Sequence, residues 1–323
     1  MTHPEAEAEA AAEAEAAAEP GTGAEPAVLG PDRLELGEGI RWTDDHGIVL
    51  VDILAGRLLT ATTDRPADPF RQLAHLPFPL SAVAPVADAP GTWIAAAGTG
   101  ICLLTPGTPP HWLARPEADV DTGTGPARPM RMNDGTADPS GRFWAGSMAY
   151  DAHDGAGSLY RVDHDGTVVR VLDGITVPNG PAFTADGRTM YLADSARGVV
   201  RRHSVDRATG GLGAPEAYVT VDDGSPDGMV VDAEGAVWIA VWGTGTVRRY
   251  LPDGCLDRTL RLPARQPAGV CLREDLLYVT SARVGLAAPG PYDGAVFTVR
   301  VDVPGRPADP YRHGPDSSRK EAA

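Results

Sequence analysis

Cysteine is scarce in this chain: Cys102, Cys255 and Cys271 are the only three in 323 residues. So few, so widely scattered, they exclude a disulfide framework and a thiolate metal site. Cys102 and Cys271 lie in apolar stretches that suit buried free thiols, and a reducing, cytoplasmic setting is expected. No apolar run approaches the roughly 20 residues of a membrane-spanning helix. The N-terminus has neither the positive segment nor the apolar core of a secretory leader. Basic blocks are also missing. The formal net charge is −16, of which the seven glutamates of residues 1–26 supply seven. An acidic body without a basic patch argues against nucleic acid and anionic membrane as partners.

Familiar catalytic signatures are absent too. There is no G-x-S-x-G elbow, no H-E-x-x-H and no P-loop. The eight histidines are scattered, which disfavours a mechanism centred on a histidine-activated nucleophile. Among them, His153 lies in a long insertion from which it could reach the rim of a site. Helix-favouring sequence is confined to the Ala/Glu repeats of residues 1–26, where nothing larger than alanine could dock a helix. That segment is expected to be a disordered tail. The Pro-rich, polar stretch 306–323 is expected to be another, leaving residues 27–305 as the folded body.

What the chain has in abundance is glycine (38) and proline (30), punctuating short apolar runs. One unit recurs six times, a polar turn followed by a strand. It appears as TDDHGIVLVDI (43–53), ADAPGTWIAAA (87–97), DPSGRFWAGSM (138–148), TADGRTMYLADS (184–195), DAEGAVWIAVW (232–242) and REDLLYVTSAR (273–283). Each copy is followed by a second, glycine-led strand such as GSLYRVD (157–163) or GTVRRYL (245–251). Paired strands repeating every forty-odd residues are the signature of propeller blades. The predicted fold is all-β, a six-bladed β-propeller. Trp93, Trp144 and Trp238 occupy one position in three units and are read as core. The aspartates of the D-x-x-G turns are read as turn formers. DHDGTVVRVLDG (163–174) resembles a calcium loop but lacks its glycine at position six and its glutamate at twelve, so it is read as a hairpin.

The informative position lies about five residues before each turn, where the innermost strand begins. It holds Glu38, Ala82, Asn133, Asn179, Asp227 and Ala268. Equivalent positions of blades face one axis, so four oxygen-bearing side chains should converge on the channel. Two bare carboxylates there would repel unless a cation lay between them. Oxygen donors without cysteine or histidine suit a hard divalent ion such as Ca²⁺, Mg²⁺ or Mn²⁺, with Zn²⁺ a second choice.

LGEGIRW (36–42), RMNDGTADPSGRFWAGSM (131–148), PNGPAFTADGRTMYLADS (178–195), SPDGMVVDAEGAVWIA (225–240) and YVTSAR (278–283) together resemble the gluconolactonase family, which includes regucalcin (senescence marker protein) and the luciferin-regenerating enzymes. The resemblance runs in order over the whole folded part, and its long RMNDG…GRFWAGSM stretch is the most specific. It implies a six-bladed propeller and one divalent metal, calcium first, held by Glu38, Asn179 and Asp227. It also implies substrate contacts at Arg131 and Asn133, with Asp227 as general base. An acidic contact of some members falls near Asp151. Ile40, Thr136 and Pro181 depart from the family's usual residues without removing a ligand, and Thr136 flanks Asn133 in a way that bears on substrate choice. The expected activity is metal-dependent hydrolysis of a small lactone, a sugar lactone above all. The alternatives are an aryl- or phosphotriesterase using the same ion, and a calcium-binding propeller without catalysis.

Overall fold

Short β-branched and aromatic runs separated by glycine turns favour pairing between neighbours in sequence. The computed structural model, which describes residues 25–61, 65–118 and 128–314, shows that pattern six times over. Blade 1 comprises strands Gly37–Thr43, Gly47–Asp52, Arg57–Ala61 and Arg71–His75. Blade 2 comprises Leu80–Pro85, Trp93–Ala97, Gly100–Leu104 and His111–Ala114. Blade 3 runs from Met130–Ala137 through Phe143–Ala149 and Gly157–Val162 to Val168–Ile175. Blade 4 runs from Pro178–Phe183 through Thr189–Asp194 and Val199–Ser204 to Glu216–Thr220. Blade 5 contains Ser225–Val231, Val237–Trp242, Thr246–Tyr250 and Leu256–Arg261. In blade 6 the two inner strands run on as one bent segment, Pro267–Ser281, followed by Val296–Gly305. The outermost strand of blade 6 is Ala27–Leu29, so the start of the fold completes its last sheet and closes the ring. The fold is a six-bladed β-propeller without an α-helix among the described residues, and no helix there is long and apolar enough to cross a membrane.

The core lies between blades. On the second strand of blade 5, Val237, Ile239 and Val241 pack towards blade 4, whereas Trp238 and Ala240 pack towards blade 6. Strand alternation imposes this division. Trp93, Trp144 and Trp238 are all buried, as core residues should be. The turn aspartates do more than form turns. Asp138 Oδ2 accepts the indole N–H of Trp144 at 2.9 Å, and Asp232 Oδ2 accepts that of Trp238 at 3.0 Å. Ala87 stands at the equivalent position of blade 2, and there the buried indole N–H of Trp93 has no partner.

The expected C-terminal tail needs a correction. Residues 306–314 run as a strap beneath the propeller rather than leaving it. Ala308 N donates to Trp42 O, Tyr311 pairs with Val86, and Arg312 N donates to Gly141 O at 2.9 Å. Tyr311 is fully buried and its hydroxyl donates to Asp163 O at 2.8 Å. Burial of one aromatic ring outweighs the polar, proline-rich character of its neighbours. The strap closes a cavity at the lower ends of the inner strands, walled by Arg41, Thr136, Cys271, Arg306 and Asp309. Residues 1–24 and 315–323 of the two expected tails lie outside the described residues.

Candidate metal centre and substrate site

The inner strands of blades 1, 3, 4 and 5 share one irregularity. Register slips between Glu38 and Arg41, Met132 and Gly135, Asn179 and Ala182, and Pro226 and Met229. Each slip inserts one extra residue, a β-bulge that re-aims the side chain at the channel. Glycine follows closely each time. Gly39 (φ +53°) and Gly180 (φ +82°) occupy backbone conformations that a side chain would disfavour. A Cβ on Gly228 would lie 2.7 Å from Ala268 O, so glycine there lets blades 5 and 6 approach at the channel.

Glu38, Asn133, Asn179 and Asp227 therefore occupy one level of the channel, each about 5% exposed. The amides are fully engaged. Arg131 Nη1 donates to Asn133 Oδ1 at 2.7 Å, and Asn133 Nδ2 donates to Asn179 Oδ1 and to Pro178 O, both at 2.9 Å. Asn179 Nδ2 donates to Ser195 Oγ at 2.8 Å, and Ser195 Oγ donates to Pro226 O at 2.5 Å. This directional chain leads from blade 3 to the residue preceding Asp227.

The carboxylates are not satisfied in this way. Glu38 Oε2 and Asp227 Oδ1 are buried and have no hydrogen-bond partner. Burial pushes the Glu38 carboxyl well above its ordinary range, and the neighbouring charges of Asp227 and Asp134 push it further. Asp227 is likewise raised, first by burial and then by Asp134. Asp134 accepts the N–H groups of Gly135 and Gly180 and lies 3.6 Å from Arg41, yet burial still raises it. Burial lowers the Arg131 guanidinium from its ordinary value, opposed by nearby Tyr150, Glu38 and Asp227.

These observations pass the test of fit for a hard divalent cation. Two orphaned carboxylate oxygens converge beside an amide oxygen, and nothing but a cation or protons relieves their repulsion. Among the described residues no three His, Cys, Asp or Glu side chains form a metal-holding group by themselves; the third donor to an ion held by Glu38 and Asp227 would be the Asn179 amide. Asp151 is not in the channel. It lies on the exposed rim loop, paired with Arg128 at 3.2 Å, and His153 is exposed beside it. Asp134 and Ser195 were not singled out from sequence. Their signal was adjacency: Asp134 follows Asn133 directly, and Ser195 comes immediately after the strand Thr189–Asp194 that pairs with Asn179.

Residues 36–283 match the family model described as SMP-30/Gluconolactonase/LRE-like region. The chain belongs to this family. Among relatives of the SMP-30/gluconolactonase family, a 6-deoxy-6-sulfogluconolactonase of Pseudomonas putida is 34% identical over 281 residues, covering 84% of this chain and 92% of the relative. A pentonolactonase of Haloferax volcanii is 37% identical over 192 residues, covering 55% of this chain and 65% of the relative. The matched part thus spans just under two thirds of the pentonolactonase. Among solved structures, a calcium-binding protein, regucalcin, from Agrobacterium tumefaciens superposes with a TM-score of 0.80 at 31% identity, covering 90% of this chain and 98% of that one.

Proposed function

We propose that this protein is a divalent-metal-dependent hydrolase that opens a small lactone, above all a sugar (aldono-) lactone. The observation that carries the reading is the pair of buried, partnerless oxygens Glu38 Oε2 and Asp227 Oδ1 beside Asn179. Glu38, Asn179 and Asp227 would hold the ion, with Ca²⁺ first and Mg²⁺, Mn²⁺ and Zn²⁺ compatible with the donors. When bound, the ion supplies Lewis acidity at the lactone carbonyl. Asp227 accepts a proton at its carboxylate from the attacking water, a role worth ~10²–10⁴-fold. A bond forms between the water oxygen and the carbonyl carbon and the ring C–O bond breaks. The proton passes to the departing ring oxygen, giving the hydroxy acid. Arg131 and Asn133, at the same level and one residue apart, orient the ester and the hydroxyls next to it. The lactonase names of the relatives support this substrate class.

A calcium-binding propeller without catalysis is the second reading, favoured by the description of the Agrobacterium regucalcin as a calcium-binding protein. An assay of chelated protein against a panel of aldonolactones, with each divalent ion restored in turn, separates the two. Hydrolysis that vanishes on chelation and returns with metal is expected. Undiminished hydrolysis after chelation overturns the metal role, and calcium binding with no hydrolysis of any lactone favours the second reading.

A further inference from the structure

The residues immediately above the channel oxygens differ from blade to blade around the mouth. Two positions before each channel residue stand Leu36, Leu80, Arg131, Val177, Ser225 and Gln266. Arg131 belongs to blade 3, and its guanidinium lies 6.0 Å from the ring centroid of Tyr150, an exposed rim residue. In a six-membered ring, blade 6 stands opposite blade 3. There Gln266 is buried, its amide N–H given to Val284 O at 3.1 Å, and the edge outside it carries the apolar Trp242 and Val284. Trp242 ends the second strand of blade 5, on the face that carries Trp238 and Ala240 towards blade 6. Its register partner is Ser225, two residues before Asp227, which places it at the mouth, one strand out from the channel. The indole packs not with its own blade's core but with the cluster of Leu36 and Ala282, which Leu54 and Val284 also join. It leans across the upper edge of blade 6 towards blade 1. Trp242 and Val284 are only half-buried, so each keeps a face open.

We infer that the mouth selects a lactone with two chemically distinct edges. The carbonyl and ring hydroxyls face Arg131 and Asn133, and an apolar substituent, a methyl or other deoxygenated carbon, faces Trp242 and Val284. This rests on the lactonase reading and narrows it to deoxy or alkyl-bearing sugar lactones. A hydroxyl turned towards the indole would leave water without gaining a partner, whereas a methyl group gains contact there.

Two aldonolactones of identical ring stereochemistry test this, one ending in CH₃ and the other in CH₂OH, assayed on the metal-loaded enzyme. The expected kcat/KM ratio favours the methyl-terminated lactone by about 10-fold or more. Trp242→Ala brings that ratio towards one while kcat/KM for the hydroxylated lactone changes less than the ratio does. Val284→Ser, which keeps its backbone bonds to Glu35 and Gln266, lowers the ratio in the same direction should the tryptophan variant fold poorly. Equal efficiency towards both lactones in the wild type overturns the inference and leaves the lactonase reading standing. So does a preference that persists in both variants. No hydrolysis of either lactone overturns the lactonase reading itself, and the inference with it.

Discussion

The two sides of the channel solve the problem of buried polar groups in opposite ways. On the amide side, both polar atoms of Asn133, both of Asn179 and the hydroxyl of Ser195 are hydrogen-bonded, from Arg131 at one end to Pro226 O at the other. On the carboxylate side, Glu38 and Asp227 each keep an oxygen with no partner, and Asp134 adds a third negative group nearby. A satisfied network is rigid and needs nothing further. An unsatisfied one marks the place where something else belongs. The amide side is the frame, and the carboxylate side is where charge is managed. The chain also bears on the choice between readings. Arg131 and Asn133 brace Asn179, so their presence alone does not separate an enzyme from a calcium-binding propeller, and kinetics on variants must.

The largest expected effect breaks the carboxylate side. Asp227→Asn keeps the shape and an oxygen donor but loses basicity, so kcat should fall ~10²-fold or more and stay low at saturating metal. Recovery to near wild-type kcat with added metal would make Asp227 a ligand only. Asn179→Ala should behave in the contrary way, weakening metal binding while regaining kcat as metal is raised.

The amide side is probed by a pair of variants with smaller effects. Arg131→Ala leaves Asn133 its bonds to Pro178 and Asn179, so kcat/KM should drop by about 10-fold with metal affinity nearly unchanged. Asn133→Ala removes the brace on Asn179, so calorimetry should show metal affinity falling together with kcat/KM. Equal metal loss in the two variants would place Arg131 in the support of the ion.

Metal removal sets a further test through pH. Burial and neighbouring carboxylates hold the Glu38 and Asp227 carboxyls well above the ordinary carboxylate range in the folded state. Without metal, the folded form then holds protons that the unfolded chain releases. Stability from these groups is present at low pH and lost as pH rises through and above the ordinary carboxylate range. Chelated protein should show Tm falling as pH rises above the ordinary carboxylate range, and a divalent cation should raise Tm most at the upper end of that rise. A flat profile in chelated protein, or a metal-induced shift independent of pH, contradicts the repulsion described here.

The smallest effect concerns an orphan that is not a site. Trp93 has an unpaired buried N–H because Ala87 replaces the aspartate found in blades 3 and 5. Ala87→Asp should restore one hydrogen bond and raise Tm by about 1–3 °C with kinetics unchanged. No rise in Tm would mean that blade 2 cannot adopt the arrangement of Asp138 with Trp144.

The ring of four oxygen-bearing residues was legible because six repeats can be aligned within one chain. Glu38, Asn133, Asn179 and Asp227 stand out only against Ala82 and Ala268 at equivalent positions. The six blades were legible for the same reason. Asp134 and Ser195 escaped because each acts across blades, through a fold that brings Asp134 to Gly180 N–H and Ser195 to Pro226 O. No period in the sequence encodes such contacts. The strap of residues 306–314 escaped because composition averages over a window, and Tyr311, one ring among prolines and charges, holds the segment.

The strand Ala27–Leu29 pairs with Val296–Thr298, so the first rung of the ring meets almost the last. Blades 1 to 5 each consist of hairpins local in sequence and can form as soon as their own strands emerge during synthesis. The sixth cannot. Its outer edge is made first and must wait, exposed, until nearly the whole chain has been translated. Ring closure is therefore a single late event with a very long loop. Residues 27–29, of which Leu29 is buried in the core, thus decide when the last open edge of the ring is covered and withdrawn from pairing with another chain.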